Sequence, residues 1–155
     1  MSIAPSDFLP GAFDRLDQDD DSLFYVPPRL VTHIDDLAIA ALSQFYGKVL
    51  RPGTVVLDLM SSWVSHLPEG LGLSEVIGHG MNEQELLANP RLTRWFVQDL
   101  NRDAALSLDS DSIDAALCCV SVQYLHEMTG AKPLQVQSGA CGGKPVDCAP
   151  AICEA

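Results

Sequence analysis

Basic residues are scarce in this chain: nine lysines and arginines stand against 21 aspartates and glutamates in 155 residues, a formal net charge of −12. Nucleic-acid binding needs cationic side chains that replace counterions along the phosphates, so that class of partner is not expected. No run of about 18 uninterrupted apolar residues occurs, so no membrane-spanning segment is predicted. Met1 to Gly11 lacks a basic region of the secretory type, and Asp14 to Ser22 is too acidic for an organelle transit peptide. The expectation is a soluble, cytoplasmic protein. Five cysteines, an odd count, suit a reducing compartment better than a disulfide framework. Zinc sites pair their ligands closely, whereas Cys141, Cys148 and Cys153 are separated by six and four residues, so no metal is expected. Nor does a G-x-G-x-x-G follow the first predicted strand, which argues against a nicotinamide-binding half-domain.

What is present is an ordinary globular composition, 47% apolar, in a length that allows one domain and one core. Residues 1–30 read as an irregular acidic lead-in carrying Phe8, Phe13, Leu23, Phe24 and Tyr25 as local anchors. From Val31 to Leu50, Ile34, Leu37, Ala38, Ala41, Leu42, Phe45 and Tyr46 recur at three- and four-residue intervals, the period of one helix face. Thr32 is the expected N-cap, with Asp35 in the capping-box position, and Arg51-Pro52-Gly53 ends the helix.

Three strand-like runs follow, Thr54–Leu59, Arg94–Asp99 and Ser112–Val120, with a weaker one at Ser74–His79. Asn82 is placed to cap a short helix, residues 83–88, that stops before Pro90. The last run is apolar after Asp114, as in a central parallel strand covered on both faces. Strands alternating with helices predict an α/β fold with a parallel sheet and right-handed crossovers. From Thr129 to Ala155 the composition shifts to Gly, Pro, Ala and Cys without periodicity, and a flexible low-complexity tail is expected there.

Over about residues 23–125 the chain resembles the class I S-adenosylmethionine-dependent methyltransferases of the small-molecule type. Val55-Val56-Leu57-Asp58-Leu59 is similar to that family's first motif, a hydrophobic strand ending in an acid. Gln98-Asp99-Leu100 is similar to the acidic turn after its third strand. Ser110 to Ala116 is similar to the start of its fourth strand, and Ser121 to Leu125 to the segment beyond. The resemblance implies a Rossmann-like sheet of strand order 3-2-1-4, a cofactor-binding half-domain over residues 31–128, and transfer of a methyl group from S-adenosylmethionine to a small acceptor.

It also implies roles for single residues. Asp58 would meet the ammonium side of the cofactor, or else cap its own loop. The serines Ser61 and Ser62 stand where the family has glycines, and their hydroxyls would donate to the cofactor's carboxylate, unless the loop is merely turned. Gly78, Asn82, Leu100 and Val120 would line the cofactor. Asp99 would accept from the exocyclic amine of adenine or close an Asx turn. Tyr25, Gln123 and Tyr124 would face the methyl acceptor. His66, whose ring titrates near neutrality, has no catalytic partner nearby in sequence and reads first as structural. No catalytic residue is assigned.

Two departures from the family pattern stand out. The acid that would receive the ribose hydroxyls after the second strand falls near Gly80, where Asn82 and His79 are the candidate substitutes. The family's later strands have no counterpart after Leu125. That leaves a second expectation, a non-catalytic relic or partner-dependent fragment, with self-association through an uncovered sheet edge.

Overall fold

Asp35, not Thr32, opens the first helix. In the computed structural model, which describes residues 24–109, 111–121 and 125, helix α1 spans Asp36–Val49, and the Asp35 carboxylate accepts from the Ala38 N–H at 2.8 Å. A charged acceptor at the positive end of the helix dipole is a strong cap. The residues before it are held elsewhere, since the Val31 carbonyl accepts from the Trp63 indole N–H at 2.9 Å. Leu42 and Tyr46 form the buried stripe of α1. The chain then leaves through Gly53, whose φ of +83° a side chain would strain.

Strand β1 spans Val55–Leu59, β2 Glu75–Gly80, β3 Arg94–Val97 and β4 Ala115–Cys118; helix α2 spans Glu83–Ala88. All pairings are parallel, in the order β3-β2-β1-β4. The expected α/β fold and its strand order are therefore the ones observed. The sheet carries a core on each face. On one side Leu42, Tyr46 and Leu50 pack on Val56, Val76 and Leu117. On the other Leu57 and Ile77 meet Leu100, Leu106 and Ile113. Val56, Leu57 and Ile77 have no solvent exposure, which places β1 and β2 at the centre.

The fourth strand differs from its expected role as a central, fully covered strand. It pairs with β1 alone among the described residues, and Ala116 is exposed. Its regular part is also shorter than the apolar run, because β1 offers register partners only from Val56 to Leu59. The α2 prediction matches residue for residue: Asn82 Oδ1 accepts from the Glu85 N–H at 3.1 Å. Among the described residues, no helix is long and apolar enough to cross a membrane. The lead-in up to residue 23, the tail from residue 129, and the predicted acceptor residues Gln123 and Tyr124 lie outside the described residues.

Candidate functional site

A cavity of about 350 Å³ opens beyond the carboxyl ends of β1, β2 and β4. Since β1 sits between β2 and β4, the chain turns to opposite sides of the sheet here, the place where open α/β sheets bind ligands. The volume falls in the range of small-molecule pockets.

The first wall is the loop after β1. Met60 takes a left-handed conformation, φ 55°, that glycine would adopt without strain. Its N–H donates to His79 Nδ1 at 3.1 Å, and the next N–H, of Ser61, donates to the His79 carbonyl at 2.6 Å. The other nitrogen, His79 Nε2, lies 2.9 Å from the Gln98 carbonyl. A carbonyl only accepts, so Nε2 carries the proton and Nδ1 is free to receive Met60. Burial holds the His79 pKa below its usual value, against the Gln98 bond. This buried imidazole thus ties the turns after β1 and β3 together, and both of its nitrogens are engaged.

Close approach of the same loop explains Gly80. A Cβ there would stand 2.6 Å from the Ser61 carbonyl oxygen, nearer than any side chain tolerates. Gly78, by contrast, is not part of the cavity wall. It lies in mid-strand beneath Leu92, whose Cδ1 is 2.3 Å from where its Cβ would be. Gly78, predicted to stand beside a cofactor, is therefore not among the cavity-lining residues, and a side chain there would press on Leu92 between β2 and the segment entering β3.

Asp58 is buried at the end of β1 and lines the cavity. Its Oδ2 accepts from Ser61 Oγ at 2.7 Å and from Ser65 Oγ. Burial raises its pKa, and the two serine bonds oppose the rise. Ser62 Oγ donates to Glu85 Oε2 at 2.6 Å. The serines expected to donate to a ligand's carboxylate are therefore already donating to the protein's own carboxylates. A hydroxyl has one proton, so what these three serine side chains still offer is acceptor capacity.

The second wall comes from β2, α2 and the lead-in. Glu85 is buried, and besides Ser62 it accepts from the Arg29 N–H at 2.7 Å. Asn82 caps α2 with its oxygen and gives its amide protons to the Tyr25 and Val26 carbonyls at 2.7 and 3.3 Å. Asn82 lines the cavity with both amide protons and one lone pair of its oxygen already engaged, and His79 has both ring nitrogens engaged. Residues 25–31 are strapped across the site by Asn82, Glu85 and Trp63, all of which bind its backbone. Tyr25 lies within this strap and lines the cavity.

The third wall is formed by Asp99, Leu100 and Val120. Asp99 Oδ1 accepts from the Asn101 N–H at 2.9 Å, and Oδ2 lies 3.4 Å from Arg102. The Asx turn is thus formed, and the carboxylate still lines the cavity. Val120 is a β-branched residue at φ 55°, a conformation that carries strain. The single Ser121 Oγ proton is shared between the carbonyls of Cys119 at 2.8 Å and Met60 at 3.3 Å, which brings together the turns after β4 and β1. Burial and the nearby Asp58 charge push the Cys118 thiol up to about 11, so it is not a nucleophile near neutrality. His66 also lines the cavity, with its pKa lowered by burial. No group of His, Cys, Asp and Glu able to hold a metal occurs among the described residues.

Sequence reasoning missed Glu85, Ser65 and Arg29. An acid three residues after Asn82 fits the capping pattern, and that sufficient local explanation concealed the burial of Glu85 beneath the strap.

No family model and no curated protein matches the chain. Among solved structures it is similar to an S-adenosylmethionine-dependent methyltransferase from Mesorhizobium loti, at 21% identity over 54% of this chain and 41% of that one, with a TM-score of 0.42. It is also similar to a TehB-like S-adenosylmethionine-dependent methyltransferase from Corynebacterium glutamicum, at 20% identity over 59% of this chain and 54% of that one, TM-score 0.43. The matched region spans about half the length of those proteins or less, 41% and 54%.

Proposed function

We propose that this chain is the cofactor-binding part of an S-adenosylmethionine-dependent methyltransferase acting on a small molecule, with the cofactor in the cavity beyond β1, β2 and β4. The observation that carries the reading is the meeting, at one switch-point cavity, of Asp58 after β1, Asp99 and Leu100 after β3, and Val120 after β4. These are the positions the sequence motifs singled out.

The wall chemistry fits such a ligand. A carboxylate offers about four lone-pair sites. Glu85 uses two of them on Arg29 and Ser62, and Asp99 uses one on Asn101 and directs its other oxygen toward Arg102. Both keep acceptors for hydroxyl and amine groups. Glu85 therefore takes the part of the acid absent at Gly80, reaching the cavity from α2 instead of from the end of β2. Leu100 and Val120 supply apolar faces.

When bound, the cofactor supplies an electrophilic methyl group on a sulfonium. The protein's share of the work is to orient donor and acceptor and to keep water out, and the strap of residues 25–31 covers the site for that purpose. No described side chain forms a hydrogen-bonded acid–base pair with His66, so positioning, not proton transfer, is the role assigned to this wall.

Release of S-adenosylhomocysteine in the presence of a broad panel of small amines, phenols, thiols and carboxylic acids tests the reading. Turnover above a protein-free control by the folded chain is the expected outcome. Cofactor binding without turnover on any acceptor would leave a binding domain and contradict the enzymatic half of the proposal.

A further inference from the structure

Five polar side chains on the cavity walls have their donors committed to the protein itself. Ser61 and Ser65 donate to Asp58, Ser62 donates to Glu85, the Asn82 amide donates to strap carbonyls, and the His79 N–H faces the Gln98 carbonyl. A ligand with a carboxylate would find acceptors on these walls and be repelled by them. One group stands apart. Among the described residues that line the cavity, Arg29 is the only lysine or arginine.

The placement of Arg29 separates its two functions. Its backbone N–H fastens the strap to Glu85 at 2.7 Å. Its guanidinium lies 3.5 Å over the Phe24 ring and forms no hydrogen bond or ion pair with any described residue. Stacking on an aromatic face fixes the plane of a guanidinium while leaving its edge N–H groups free. A planar fork held in this way matches a carboxylate in two parallel bonds.

We infer that Arg29 is the carboxylate-binding residue of the cavity, so that the ligand's anionic end is held by the lead-in strap and not by the serine loop after β1. This rests on the proposed cofactor site. The carboxylate could belong to the amino-acid end of the cofactor or to the methyl acceptor, and the chemistry at Arg29 is the same for both.

Titration calorimetry on the full chain distinguishes the sources. The first arm compares S-adenosylhomocysteine with 5′-methylthioadenosine, which keeps the nucleoside and sulfur but has no amino-acid group. A hydrogen-bonded charge pair of this kind is worth about 1.5–3 kcal/mol, or roughly tenfold or more in affinity. Arg29→Gln is expected to weaken S-adenosylhomocysteine tenfold or more and leave 5′-methylthioadenosine unchanged, with Arg29→Lys in between. The substitutions retain the backbone bond to Glu85, and an unchanged melting temperature verifies the fold.

The second arm titrates acetate, lactate and benzoate into protein saturated with S-adenosylhomocysteine. If the first arm shows no change, a tenfold loss here in Arg29→Gln assigns the guanidinium to the acceptor's carboxylate. Equal affinities for every ligand in wild type and variant would overturn the inference, and so would equal weakening of S-adenosylhomocysteine and 5′-methylthioadenosine, which marks a packing role. Failure of folded wild-type protein to bind either nucleoside removes the proposed function itself, a result distinct from the other two.

Discussion

Met60 and Val120 hold left-handed backbone at the ends of neighbouring strands, and both line the cavity. Glycine would take either conformation without the Cβ clash that costs about 1–2 kcal/mol. For Met60, part of that cost is offset by the bond to His79 and by packing of its side chain on the Leu57 side of the sheet. The Val120 side chain is 39% exposed and β-branched. Val120→Gly is therefore expected to stabilise the fold by about 0.5–1 kcal/mol, the relieved strain less the entropy of glycine. Equilibrium urea unfolding measures it, and a destabilised variant would show that Val120 is held by packing and not strained.

Titration at the same scale sets opposing pH dependences. The raised pKa of Asp58 means that the fold favours its neutral form. Its stabilising effect is complete below the unfolded value, 3.8, and is lost as pH rises through the folded value. His79 is the reverse. Its lowered pKa favours the neutral ring, so its contribution is present above 6.5 and is lost as pH falls through the folded value. Protonation there would also remove the acceptor for Met60. Unfolding free energies measured from about pH 4 to about pH 8 should show Asp58→Asn gaining on wild type as pH rises. A constant difference across that range would mean that Asp58 has no shift.

Between elements, the two glycines of β2 have separable jobs. Gly80→Ala drives a Cβ into the Ser61 carbonyl, a backbone atom, and forces the loop after β1 to move. It should cost about 1–3 kcal/mol and abolish nucleoside binding. Gly78→Ala meets only the side chain of Leu92, which has rotamers available. It should cost less and leave binding intact. Equal effects of the two substitutions on binding would place Gly78 at the site after all. Helix α2 carries a third prediction. Asn82→Ala removes both the N-cap and the bonds to Tyr25 and Val26. It should lower stability by about 1–2 kcal/mol and speed proteolysis within residues 25–31. An unchanged cleavage rate would show that the strap is held without it.

Elements were legible in the sequence wherever a local signal and the tertiary context agreed. Asn82 and Pro90 bracket α2 as expected, and the acids after β1 and β3 both reach the cavity. Legibility failed where a second residue competed or a distant partner decided. Asp35 outcompeted Thr32 as a cap because Trp63 holds the residues before it. Ser61 and Ser62 line the cavity, but the direction of their protons could not be read from the sequence, because it is set by Asp58 and by Glu85, the latter 23 residues from Ser62. Gly78 and Gly80 look alike in sequence, and only the packing of Leu92 and Ser61 tells them apart.

For the molecule as a whole, the described chain builds a four-stranded parallel sheet, a core on each face, and one cavity at the switch point closed by a strap. The strap, the serine loop and α2 converge on Glu85, so ligand binding and closure of residues 25–31 are expected to stabilise one another. The most direct measurement is calorimetric titration of S-adenosylmethionine into the folded chain, with Gly80→Ala as the control. One-to-one binding in the micromolar range that the control abolishes is the predicted result. A folded wild-type chain that takes up no S-adenosylmethionine would contradict the account.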